Sequence, residues 1–191
     1  MPDAERGQTV IDFAIAMGVF LVAVTFVFSF IPSLTTPFVE GNQDTSVTAD
    51  RVASHLAEGA LGDPADPFVL DQDCTEAFFD TSATIPSDCG YDGSSLYERV
   101  GVDGDRLNVN VTIEQVDPDA SGDARFRTVC TDSNGDISHE DEASCTDEFV
   151  IGEVPTDRDS VVVARRIVTI PDCEFGSGVD SCDATLEVRV W

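Results

Sequence analysis

Phe13-Ala14-Ile15-Ala16-Met17-Gly18-Val19-Phe20-Leu21-Val22-Ala23-Val24-Thr25-Phe26-Val27-Phe28-Ser29-Phe30-Ile31 runs for nineteen residues without a charge. A bilayer needs about 20 such residues, and only a helix satisfies its own backbone groups in lipid. A buried helix of a soluble protein is the alternative, but a run this long and apolar on every face is unusual there. The segment predicts a membrane-spanning helix, with a stop or a kink at Pro32 and Pro37 behind it.

The flanks orient it. Arg6 is the single basic residue before the run, and none follows until Arg51. That places the N-terminus in the cytoplasm and the remainder outside. A secretory signal peptide has an apolar stretch of about 7–15 residues and then a small-residue cleavage site. Here the run is longer, and Phe28-Ser29-Phe30-Ile31-Pro32-Ser33 offers no Ala-x-Ala pattern. The helix is expected to persist in the mature protein.

The rest of the chain is strongly acidic. Of 191 residues, 37 are Asp or Glu and 10 are Arg; Lys is absent, and the net charge is -27. Such a chain repels phosphate backbones, which excludes nucleic acid as a partner. The 42% hydrophobic content argues against a disordered acidic tail. Like charge scattered this widely opposes compaction at low salt. At molar salt, where the Debye length is about 3 Å, the repulsion is screened. The composition points to a halophile; an acidic surface kept for solubility is the alternative.

The run Arg6-Gly7-Gln8-Thr9-Val10-Ile11-Asp12-Phe13, set directly against the apolar stretch, resembles the class III signal of archaeal type IV pilin-like proteins. The resemblance covers about the first 31 residues closely; the acidic, Cys-bearing remainder is similar to pilin-type proteins of halophilic archaea in general character. It implies that a prepilin peptidase cuts between Gly7 and Gln8, that 1–7 is a leader, and that Asp12 becomes the fifth residue of the mature chain. The family usually has Glu there. The implied role of this acid is to meet the N-terminus of a neighbouring subunit in a filament. Physically, a carboxylate inside an apolar helix costs roughly 2.5–3.5 kcal/mol at mid-membrane and less near its end, so a cation partner is useful. The alternative is that Asp12 simply occupies the first turn, favoured by the helix dipole. Gly18 and Ala14, four apart, leave room for a close helix neighbour.

Beyond the membrane the chain reads as α+β: linker or kinked helix, a short amphipathic helix, then an antiparallel sheet or small sandwich. From Ser46 to Leu61, Ala49, Val52, Ala53, Leu56 and Ala60 recur at helical spacing. Thr45 or Ser46 can cap the start and Gly62 the end. His55 lies near the apolar face and reads as a packed side chain. Gly62-Asp63-Pro64-Ala65-Asp66-Pro67 is a turn-rich break. From Phe68 onward strands are expected. The cleanest is Leu107–Glu114, its apolar positions alternating with polar ones; Arg125–Cys130, Glu148–Val154, Val161–Ile170 and Ala184–Val190 follow. The expected organisation is a leader at 1–7, a membrane or assembly helix at 8–31, a linker and helix at 32–61, and an extracellular head at 62–191.

Cys74, Cys89, Cys130, Cys145, Cys173 and Cys182 all lie in the head. Six cysteines allow about fifteen connectivities. Neighbour pairing is favoured because each bridge then closes one turn-bearing loop. No tight Cys pair of the metal-binding kind occurs, and an oxidising exterior suits disulfides.

Other signals are weak. Asn110-Val111-Thr112 is a glycosylation sequon, with Asn110 expected on the polar face of its strand. Asp132-Ser133-Asn134-Gly135-Asp136 has calcium-loop character but lacks the full spacing, so a turn is expected. His139-Glu140-Asp141-Glu142 reads as a solvated charge run rather than a metal site. No catalytic signature appears, and no enzyme activity, cofactor or metal is expected. The expected partners are membrane lipid, a prepilin peptidase and other pilin subunits. The reading is a structural filament subunit, with a minor or tip role favoured over a major one. The alternative is an unprocessed single-pass surface protein with a binding head.

Overall fold

The computed structural model of the chain describes residues 4–39, 43–116, 122–139, 145–157, 159–171, 173 and 181–191. The chain divides into an N-terminal unit, Met1–Gln43, and a head, Asp44–Trp191.

In the N-terminal unit, α1 spans Ala4–Val39. Pro32 and Pro37 do not stop it. A proline inside a helix removes one backbone hydrogen bond and clashes one turn back. Here the helix continues through both and ends at Val39, so Pro32 is not a stop.

The head opens with α2 (Gln43–His55), which starts before Thr45 and Ser46, so neither caps it. It runs on into a wider π turn at Leu56–Ala60, closed where Leu61 N–H donates to the Leu56 carbonyl at 3.2 Å. Ala49, Val52, Ala53, Leu56 and Ala60 are all buried, as their spacing predicts. His55 is a correction: it is exposed, one position off that stripe. Gly62 is not a helix cap either. A Cβ there would stand 2.1 Å from the Val69 carbonyl oxygen. The residue is small because the returning chain passes against it, Asp71 N–H donating to the Leu61 carbonyl at 2.7 Å.

The expectation of strands from Phe68 fails over the next forty residues. Two short helices come first, α3 (Gln72–Phe79) and α4 (Leu96–Val100). Both have readable caps. The Asp71 carboxylate accepts from Cys74 N–H at 2.9 Å. Ser95 and Glu98 form a reciprocal capping box, and Gly101 ends α4 in the left-handed region at φ 63°. Cys74, Ala77 and Phe78, at i, i+3 and i+4, are the buried face of α3.

The strands are β1 (Val109–Val116), β2 (Phe126–Asp132), β3 (Ile137–His139), β4 (Cys145–Glu148), β5 (Val150–Gly152), β6 (Val162–Pro171) and β7 (Ser181–Val190). All pair antiparallel in the order β3-β2-β1-β7-β6, with β4 on β2 and β5 on β1. The β1–β2 hairpin splays beyond Glu114 and Thr128. Residues 145–152 enter the fork, descend β2, turn at Phe149 and climb β1. Phe149 bonds both arms: its N–H donates to the Val129 carbonyl at 2.8 Å, and its carbonyl accepts from Ile113 N–H at 3.0 Å. This is one branched sheet rather than two packed ones. Its inner face carries Val109, Val111, Ile113, Leu186, Val188 and Val190, which share one core with α2. Arg166 in β6 ties that helix to the sheet edge, its Nη2 donating to Asp50 Oδ1 at 2.6 Å and Ser54 Oγ at 2.9 Å.

Candidate functional site

In α1, Val10–Ser29 is a twenty-residue stretch long and apolar enough to cross a membrane. At about 1.5 Å per residue it matches a hydrocarbon core of roughly 30 Å. It is exposed along its length: Val10, Phe13, Phe20, Val22 and Phe28 are each 60% or more exposed. Its two hydroxyl groups are satisfied internally. Thr25 Oγ1 donates to the Leu21 carbonyl at 2.8 Å and Ser29 Oγ to the Thr25 carbonyl at 2.9 Å. Such back-bonding removes the polar donors from the helix surface. Asp12 is then the one charged residue of the stretch, the third from its N-terminal end. Gly18 lies midway, and an added Cβ there meets nothing within 4 Å. Gly7 and Gln8 lie within the helix, which begins at Ala4.

The three disulfides join neighbours: Cys74–Cys89, Cys130–Cys145 and Cys173–Cys182, with Cα separations of 5.5, 5.8 and 5.9 Å. The first anchors α3 to the loop behind it. The second ties β2 to β4 at the mouth of the fork. The third closes the β6–β7 hairpin.

Asn110 is a correction. Its face of the sheet is covered, and the residue is 1% exposed. Asn110 Nδ2 donates to the Ile151 carbonyl at 3.3 Å, and Oδ1 accepts from Thr112 Oγ1 at 3.2 Å. The folded head has no room for a glycan on that nitrogen. Strand periodicity places Asn110 on the side opposite the apolar residues, but not what lies over that side.

The same face holds a group that strand alternation alone does not reveal. Glu187 stands between Thr112 of β1 and Arg165 of β6 and is 1% exposed. Arg165 Nε donates to Glu187 Oε2. Arg189 Nη2 lies 2.5 Å from Oε1, close enough for an ion pair but not aligned as a hydrogen bond. A buried carboxylate needs such compensation, since removing one partner leaves an uncompensated charge. The sequence signal was the alternation of Glu187 and Arg189 with apolar neighbours; the register that brings Arg165 opposite is tertiary.

Two clefts of about 640 Å³ open on the head. In the first, the guanidinium of Arg99 is buried against carbonyls: Nη1 donates to Ala77 O at 2.7 Å and Phe78 O at 2.8 Å, and Nε to Gly93 O at 3.1 Å. Tyr91 lies beneath it, ring centroid 5.7 Å from Cζ, and its hydroxyl donates to the Cys74 carbonyl at 2.7 Å. Burial pushes the Tyr91 phenol up to about 12, against a smaller opposing effect of Arg99. The second cleft combines the stacked rings of Phe79 and Phe149, centroids 5.1 Å apart, with Asp73, Glu76, Asp80, Asp147 and Glu148.

The Asp132–Asp136 segment is a turn. Asp132 Oδ1 accepts from the amides of Asn134 at 2.7 Å and Asp136 at 3.0 Å. Those bonds, the Asp136 amide first, hold its carboxyl below the usual range. His139 is in β3, and residues 140–142 lie outside the described residues. Among the described residues, no group of three or more His, Cys, Asp or Glu is placed to hold a metal ion.

The profile of a family described as "Family of unknown function (DUF7287)" matches residues 4–191, helix and head together. No curated protein and no solved structure matches the chain.

Proposed function

The chain belongs to the DUF7287 family, and we propose that it is a pilin-like structural subunit of a cell-surface filament, matured by a prepilin peptidase. In this reading the cut falls between Gly7 and Gln8, α1 holds the subunit in the membrane before assembly, and the head stands outside. The observation that carries it is the exposed apolar surface of Val10–Ser29, with a single carboxylate, Asp12, close behind Arg6-Gly7-Gln8. A helix exposed on every side needs either lipid or neighbouring helices. The new amino group of Gln8 supplies the cation that Asp12 lacks inside such a bundle. The head's three disulfides support an oxidising exterior. The lysine-free charge of -27 supports a halophilic archaeal setting, and no catalytic role is assigned to the head.

One observation favours a second reading, an unprocessed single-pass anchor with a binding head: α1 already includes Gly7 and Gln8, and a peptidase needs an accessible backbone. N-terminal sequencing of the membrane-derived protein decides between them. A start at Gln8, abolished by Gly7→Phe, supports the subunit; a start at Met1 or Pro2 in the native protein overturns it. Asp12→Ala is expected to leave cleavage intact and to abolish assembly. Unchanged assembly by that variant removes the role given to the carboxylate.

A further inference from the structure

A chain with 37 Asp and Glu has an acid within reach of most of its 10 Arg. Arg106, Arg165, Arg166 and Arg189 each pair with a carboxylate. Arg99 does not, although among the described residues it is the one buried arginine, 3% exposed. Its acceptors are the carbonyls of Ala77, Phe78 and Gly93 alone. Ala77 and Phe78 lie in the last turn of α3, whose dipole adds a fraction of a negative charge. A buried cation so placed is compensated only in part.

The guanidinium also keeps one nitrogen in reserve. Nε and Nη1 make the three bonds, and Nη2 has no acceptor among the described residues. Nor is Nη2 sealed in: the one buried side-chain nitrogen or oxygen without a partner, among the described residues, is Glu187 Oε1. Nη2 therefore reaches solvent, and Arg99 lines the first cleft. Arg51 converges on the same place. Its Nη2 donates to the carbonyl of Gly101, a lining residue, at 3.1 Å, and no carboxylate pairs with it among the described residues. His55, one turn further along α2, lines the cleft as well.

Two carboxylates belong to the lining. Glu98 Oε2 is engaged by the Ser94 and Ser95 amides and the Ser94 hydroxyl, which leaves Asp92 as the opposing charge. Ile85, Pro86 and Val100 supply apolar surface. At about 640 Å³ the cleft falls within the roughly 300–1,000 Å³ of small-molecule sites. We propose that this cleft binds a small organic carboxylate. One carboxylate oxygen accepts from Arg99 Nη2, and an apolar body lies against Ile85, Pro86 and Val100. With Nε and Nη1 occupied, no fork is left for a multiply charged phosphate or sulfate, which Asp92 would also repel. A singly charged oxygen acid completes the compensation of Arg99. The inference goes beyond the filament reading and does not require processing at Gly7.

The test uses the full-length protein in detergent micelles and molar sodium chloride. The probe is 3-phenylpropionate, with 3-phenylpropanamide as its uncharged counterpart and acetate as the carboxylate without an apolar body. The readout is the magnetic resonance signal of the Arg99 Nε–H, which the Gly93 carbonyl protects from exchange. The expected result is a saturable shift with 3-phenylpropionate and binding about tenfold or more weaker with the amide and with acetate. The thermal midpoint should rise with the concentration of the carboxylate. Arg99→Lys should lose the preference for carboxylate over amide, and Arg106→Gln, outside the cleft, should keep it. If Arg99→Lys fails to fold, the native titration still decides, because it reads Arg99 directly. No shift at Arg99, or an equal response to the amide, overturns the proposal. So does a signal that follows chloride but not the carboxylate, which marks an inorganic-anion site. An equal response to acetate removes the apolar part. N-terminal sequencing reads the processing separately, so failure of one leaves the other standing.

Discussion

Replacing Arg99 by Met keeps the buried apolar stem and deletes the guanidinium. Three carbonyls, Ala77, Phe78 and Gly93, lose donors that now stand at 2.7, 2.8 and 3.1 Å. A hydrogen bond from a charged group contributes about 1.5–3 kcal/mol net, so a simple sum is on the order of 5–9 kcal/mol. Two effects reduce it. The desolvation cost of a 3% exposed cation is recovered, and the adjoining cleft admits water to some of the carbonyls. The expected loss is about 3–5 kcal/mol, a large share of a typical domain stability of roughly 5–15. The assay is denaturant unfolding in high salt with disulfides intact, followed by Trp191 fluorescence. Trp191 is the single tryptophan and exchanges both backbone bonds with Asn108, so it reports on the head. The midpoint should fall with the slope unchanged. Arg99→Lys should fall between, because one ammonium cannot span the same fork. The control is Arg106→Met: its contact with Asp44 is 3.8 Å and both side chains are about 70% exposed, so its loss should stay under about 1 kcal/mol. An Arg99→Met variant within about 1 kcal/mol of the native protein would refute the reasoning, since buried carbonyls would then be shown to need no donor.

Further outcomes follow from the same structure. Lowering salt from molar to about 0.1 M lengthens the Debye length from about 3 to about 10 Å, and the head, in a chain of net charge -27, should lose thermal stability monotonically by circular dichroism. The carboxyls of Asp80, held low chiefly by the Ser82 hydroxyl, Glu98, by the Ser94 amide, and Asp132, by the Asp136 amide, sit below their ordinary 3.8, 4.5 and 3.8. Their contribution is full above those values and lost as pH falls through the lowered ones; acid titration of the unfolding midpoint in Glu98→Gln should show a shallower loss. Tyr91 binds its proton more tightly when folded, so its contribution is full below 10 and lost as pH rises through about 12. Absorbance at the tyrosinate band should show a step there that Tyr91→Phe removes. Replacing Cys130 and Cys145 together by Ser opens a loop of 15 residues and should cost about 3 kcal/mol in the chain-entropy model, read as a shift in denaturant midpoint.

Where sequence reasoning failed, the signals were local but quieter than the ones followed. The capping box Ser95-x-x-Glu98 and the Asp71 cap mark α4 and α3, yet both helices are short. Helices of five and eight residues carry little periodicity of their own and are held by packing, Phe78 edge-on to Tyr91 at 5.3 Å among them. The sequon at Asn110 shows the opposite fault: a sound local pattern overruled by what the fold lays over it.

What the linear chain determined by itself was set by short-range physics. Nineteen uncharged residues in a row can satisfy their backbone in lipid only as a helix, whatever surrounds them. Alternation fixed which side of β1 and β7 faces the core, because successive strand residues point opposite ways. Tertiary structure decided everything that depends on register and on what approaches from afar: the burial of Asn110 and Glu187, the carbonyl cage around Arg99, and the fork filled by residues 145–152. Those outcomes turn on pairings between residues tens of positions apart, and no local pattern carries that distance.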